Sequence, residues 1–112
     1  MKKADLFKEI TATYTKHGWK LTSAILKTQT RAEIESLDPA LLHALEVKES
    51  IVDALWFSRP SHESREAWEL RLLAENQYAL FETFEPDETE EERQEARSEM
   101  EARLREKILS GH

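Results

Sequence analysis

The densest run of reactive residue types in the chain is RPSHESR (59–65), set between two tryptophan-bearing apolar stretches at 51–58 and 66–75. It holds hydroxyls, an imidazole and a carboxylate, the ingredients of nucleophilic catalysis. Such triads are assembled by geometry, each group oriented by the next across a fold. Neighbours in one short loop point in different directions, and no strand-turn-helix elbow surrounds either serine. Arg59 and Arg65 suit an anion better, because the guanidinium fork matches phosphate or carboxylate. Yet the loop has no glycine to let backbone N–H groups close on a ligand, and Glu63 and Glu66 oppose negative charge. The expectation is a solvated loop joining antiparallel strands, with Pro60 and the serines as turn chemistry. Any role it has would be that of an arginine-bearing rim beside a binding face.

The remaining candidates carry weaker patterns. His17, His43, His62 and His112 show no HxH or HxxxH spacing, and there is no cysteine. Neither a zinc site nor a thiol nucleophile is expected, and no cofactor is implied. Glu82 lies between Phe81 and Phe84; buried, it would be a proton-transfer group with a raised pKa. Its expected state is exposed, opposite Arg71. Trp19, Trp56, Tyr14 and Tyr78 could line a pocket between sheet and helices. Without interleaved Arg or Lys on the same strand faces, Trp19, Trp56 and Trp68 do not read as a base-stacking surface.

Several elements must position these residues. Leu6, Phe7, Ile10, Tyr14 and His17 recur at helical spacing, and Gly18 stands where a helix closes, so the first helix spans about 3–17. Residues 19–27 alternate as a half-buried strand. Thr30 with Glu33 fits a capping box, and Asp38-Pro39 fits an N-cap with proline at N1. These predict a helical turn at 31–36 and a short helix at 39–46. The run 51–58 is apolar on both faces, as an interior strand is. Residues 66–75 and 77–85 form a hairpin about an Asn76-Gln77 turn, in a register placing Arg71 opposite Glu82 and Leu72 opposite Phe81. A charged helix at 87–109 starts at a Thr89/Glu92 capping box and carries a narrow apolar stripe: Ala96, Met100, Leu104 and Ile108.

One α+β domain over residues 1–112 is expected, in the order α-β-α-β-β-β-α. It has about four mainly antiparallel strands, packed by helices on one face. Charged residues make up 35% of the chain and the net charge is −7. The C-terminal part is the most acidic, with five Lys/Arg against ten Asp/Glu over 85–112. No basic stripe advertises a nucleic-acid partner, and the acidic tail would be repelled by anionic membrane surfaces. Asp5 interrupts any signal-like apolar run, and no membrane span is present, so a cytoplasmic setting is expected.

Trp56 shares a face with Val52 and Ala54, while Leu55 and Phe57 occupy the other. Helices on one side cannot cover both, so one sheet face should be buried in a homodimer or against a protein partner. A protein-interaction module (adaptor, chaperone or regulator) is the primary expectation, and an enzyme the lesser one. The alternative is a small-molecule binder or minor enzyme. Candidate binding residues are Trp56, Arg59, Arg65, Trp19, Tyr14 and Tyr78.

Overall fold

Helix α1 (Lys3–Lys16) repeats apolar residues every three or four positions and buries Ala4, Leu6, Phe7 and Ile10. It ends where Gly18 adopts φ +86°, a left-handed conformation that costs a glycine little. The computed structural model describes residues 1–110, and His112 lies outside them. Strand β1 (Lys20–Leu26) follows, then helix α2 (Thr28–Leu37) and a 3-10 turn, Pro39–Leu42. Strands β2 (Glu46–Glu49), β3 (Ala54–Pro60), β4 (Glu66–Leu72) and β5 (Ala79–Phe84) come next, and helix α3 (Glu90–Leu109) closes the chain. The sheet order is β2-β1-β3-β4-β5. β1 and β2 run parallel and the other pairs antiparallel.

The α+β class and element order match the sequence reading, but the sheet is mixed and has five strands. The extra strand, β2, is EVKE; with three charged residues it carries no apolar period, and its pairing to β1 makes it a strand. The larger correction concerns the helices, which lie on both faces. Leu55 and Phe57 pack with Phe7, Ile10 and Ile34 from α1 and α2. Ala54 and Trp56 pack with Met100 and Leu104 from α3. Strand alternation sends the two sets to opposite faces. The cover that β3 requires is therefore supplied within the chain.

Asp53, only 3% exposed, ties the first core together. Its Oδ1 accepts from the Lys27 N–H at 2.8 Å, and its Oδ2 accepts from the Thr30 hydroxyl at 2.8 Å. The Lys3 ammonium lies 3.3 Å from Oδ2. The carboxylate thus ties down the start of α2 from the residue before β3, where its charge also suits the helix dipole. This is why the expected Thr30/Glu33 box is absent: Thr30 donates to Asp53, and Glu33 accepts from the Lys3 N–H at 3.0 Å. The helix consequently starts earlier, at Thr28, and runs through the predicted turn. By contrast, the Thr89/Glu92 capping box of α3 forms as expected, with the helix starting at Glu90.

The hairpin β4–β5 also departs from its expected register. Glu69 faces Phe81 and Arg71 faces Ala79, so Arg71 does not meet Glu82 and Asn76-Gln77 is not a two-residue turn. Two residues impose the longer connection. Leu73 swings fully into the α1 core, its N–H donating to the Asp53 carbonyl. Arg71 folds its guanidinium onto the carbonyls of Leu72, Ala74 and Asn76.

Asp53→Ala should lower unfolding free energy by about 2–3 kcal/mol in urea titration, because it strands the Thr30 hydroxyl and the Lys27 N–H and leaves the Lys3 ammonium only the Leu73 carbonyl. A loss of only a few tenths of a kcal/mol would show that these bonds do not hold the core.

Candidate functional site

The two helix layers are staggered. α1 and α2 lie over β1 and β3 on one face, while α3 lies over β4 and β5 on the other. Each face keeps an open half, and a cleft lies in each.

On the α3 face a cleft of about 240 Å³ opens over β1 and β2, lined by Thr22, Ser23, Lys48, Trp56, Arg97 and Glu101 among others. Glu101 is 7% exposed, and both its oxygens are engaged. Oε2 accepts from the Trp56 indole N–H at 2.8 Å, and Oε1 from the Lys48 ammonium at 2.8 Å. The Arg97 guanidinium lies 4.6 Å from the Trp68 ring centre, a cation–π contact. These groups anchor α3, whose stripe buries only Met100 and Leu104 fully, with Ala96 and Ile108 half-buried. The charged residues that sequence reading gave to solvent are half of the joint.

On the α1 face a cleft of about 340 Å³ opens over β4 and β5, lined by Thr13, Tyr14, Glu69, Arg71, Gln77 and Ala79 among others. Tyr14 stacks on Phe57 with ring centres 4.1 Å apart, and its hydroxyl donates to Glu69. Burial first, then the hydrogen bond to Glu69 and that carboxylate's charge, push the phenol's pKa well above 10. A phenol held this way is a poor proton donor near neutral pH.

Trp19 continues the row from Tyr14 and meets Phe81 edge-on at 6.4 Å. An aromatic line therefore runs Phe57, Tyr14, Trp19, Phe81 from the core to the sheet's edge, where Phe81 is 59% exposed. Arg59 lies 4.5 Å above the Trp19 ring and donates to the His17 carbonyl at 2.9 Å.

The sequence candidates are thus divided. Tyr14, Trp19 and Arg59 come together on the α1 face. Trp56 and Tyr78 belong to the α3 face, and Lys107 lies 5.5 Å above the Tyr78 ring. A single pocket lined by Trp19, Trp56, Tyr14 and Tyr78 does not exist, because alternation puts β3 residues 56 and 57 on opposite sides. Arg65 is held in the loop by Glu85 at 2.7 Å and Glu63 at 3.0 Å.

The 59–65 loop is the turn of the β3–β4 hairpin. Glu63 and Ser64 both take positive φ, 57° and 66°, the pattern of a type I′ turn usually filled by Asn-Gly. Glu82 is exposed beside Trp68 on the neighbouring strand, without Arg71. Among the described residues no three His, Asp or Glu side chains gather as a metal site would need. No helix there is long and apolar enough to cross a membrane. Residues missed by sequence reading are Glu69, Arg71, Arg97 and Glu101, all charged and periodic with solvent-facing neighbours. Phe81 carried a signal, an aromatic on the polar face of a short strand.

Set against models of protein families, curated proteins and solved structures, the chain matches none of them significantly.

Because the folded state holds the Tyr14 proton, stability should fall as pH rises past about 10, where an unfolded tyrosine releases it. Tyr14→Phe should flatten that alkaline loss between about pH 9 and 11, as followed by denaturant midpoints. It should also remove a phenolate absorbance that develops only at the upper end of the titration. An identical pH profile in the variant would refute the coupling.

Proposed function

We propose that this chain is a non-enzymatic protein-interaction module, an adaptor, chaperone or regulator, that receives an extended protein segment along β5. The supporting observation is the contrast between the sheet's two edges. β2 is four residues long with three charges, the blunted form by which edge strands avoid pairing. β5, ALFETF, is six residues long with one charge and no proline. It ends the aromatic row at exposed Phe81, with Arg59 and Trp19 behind it. Strand addition draws affinity from backbone hydrogen bonds and specificity from alternate side chains, and β5 offers both. The face expected from sequence to seek a partner is covered by α3, so the reading moves from face to edge. A cytoplasmic setting suits a chain without cysteine.

The second reading, a small-molecule binder, rests on the cleft beside Glu101. Its weakness is that the Glu101 oxygens and the Trp56 indole N–H already satisfy one another or Lys48.

Selection of short random peptides on the immobilised chain tests the proposal. Bound peptides should perturb backbone amide resonances of 79–83 and lose affinity several-fold in Arg59→Ala, while His62→Ala leaves binding nearly intact. Perturbations gathered instead at Ser23, Lys48 and Glu101 would favour the second reading and defeat the first.

A further inference from the structure

We infer that the segment β5 receives is β5 of a second copy, paired antiparallel about a two-fold axis at Phe81. This rests on the edge-docking reading above and names its occupant. The ladder determines which backbone groups are free. The Leu72 N–H donates to the Tyr78 carbonyl at 2.9 Å, which makes residues 72 and 78 a hydrogen-bonded pair. Alternation then turns the N–H and C=O groups of Leu80, Glu82 and Phe84 toward β4, and those of Ala79, Phe81 and Thr83 outward.

Three outward residues centred on Phe81 are self-complementary. With Phe81 opposite Phe81 of the second copy, Ala79 faces Thr83 at either end and every outward residue gains a partner. The Thr83 N–H, which now bonds the Glu82 carboxylate at 2.9 Å, would exchange that contact for the new ladder. Leu80 falls opposite Glu82, so no like charges meet. Shifting by two residues one way sets Glu82 against Glu82, a repulsion. Shifting the other way pairs Ala79 with Phe81 and leaves Thr83 opposite Gln77, outside the strand. Shifts by one residue oppose outward groups to inward ones and form no ladder. Only one register uses the whole edge.

In it the two Phe81 rings lie side by side on the α1 face, each backed by its own Trp19. The exposed ends of two aromatic rows then become one apolar centre, and the two five-stranded sheets become a continuous one of ten. The net charge of −7 on each copy opposes association at long range, so added salt should tighten the pair.

Sedimentation equilibrium at tens of micromolar, with paired cysteine variants, tests this. The chain has no cysteine of its own, so each introduced thiol is alone. The expected result is a mass twice 13.1 kDa. A mixture of Ala79→Cys and Thr83→Cys should form a disulfide-linked dimer that neither variant forms by itself. Phe81→Lys, at an exposed position that leaves the fold intact by circular dichroism, should raise the dissociation constant roughly tenfold or more. A monomer under these conditions, with peptides still captured at 79–83, would overturn the second copy while leaving edge docking in place. A monomer with no capture at 79–83 would overturn both. A dimer insensitive to Phe81→Lys, or cross-linking of Ala79→Cys to itself, would place the interface elsewhere and overturn this register.

Discussion

A single buried carboxylate organises this fold. Asp53 stands at the entrance of the central strand and accepts from the start of α2, while the Lys3 ammonium at the start of α1 lies 3.3 Å from it. Its own backbone carbonyl receives the Leu73 N–H just beyond β4. Four segments distant in sequence are thereby fixed to one point. An ionised group so deeply buried persists only when its oxygens are occupied, and here two donors and an ammonium occupy them. Both the α1 core and the β4–β5 hairpin depend on that point. Because α2 begins there, Ile34 reaches the α1 core. Because Leu73 is drawn there, the hairpin to β5 opens beyond a tight turn and its register shifts.

The second face of the sheet is closed by a different balance. α3 offers too little apolar area to hold a sheet by burial alone. The deficit is met by charged residues with apolar stems and flat heads: Arg97 over Trp68, Arg93 over Phe84, and Glu101 on the Trp56 indole. Each contributes on the order of 1 kcal/mol at a largely buried joint, so none dominates. A helix rich in charge can therefore be a structural layer. The sequence reading of an uncovered sheet failed at this joint, because it counted only the stripe of Ala96, Met100, Leu104 and Ile108.

Legibility in the sequence followed periodicity. α1, β1, the apolar half of β3, β4 and the capped start of α3 were visible because burial imposes a repeat of 3.6 or 2 on the residues that satisfy it. β2 was not, since EVKE becomes a strand through its neighbour and bears no repeat of its own. The 59–65 loop is the turn that its composition implies, although its strained Glu63 and Ser64 gave no sign of a type I′ geometry. Asp53 sits inside a run that reads simply as apolar, yet it is the residue on which the run is anchored. Arg71 and Glu69 alternate with Leu70 and Leu72 as any solvated strand face would. Nothing in that alternation reveals that one clasps a turn and the other receives a phenol. Long-range polar contacts leave no local pattern, and they set most of the details that were missed.

The staggered helices explain why interest falls on an edge. A sheet of five strands is wider than one or two helices, so covering both faces diagonally leaves two open halves and two edges. Along β2 the open half ends in charged side chains and a very short strand, and pairing there is discouraged. Along β5 the open half ends in Phe81, reached from the core through Phe57, Tyr14 and Trp19 in a line of touching rings. Tyr14 is fixed by its bond to Glu69 and its stack on Phe57, and Trp19 is fixed between Tyr14 and the Arg59 guanidinium. The ring that projects at the edge therefore stands on a rigid support. A preorganised apolar group beside unpaired backbone donors and acceptors lowers the ordering cost of adding a strand. The same arrangement on β2 would lack the ring, the length and the row behind it, which is why the two edges differ in what they can receive.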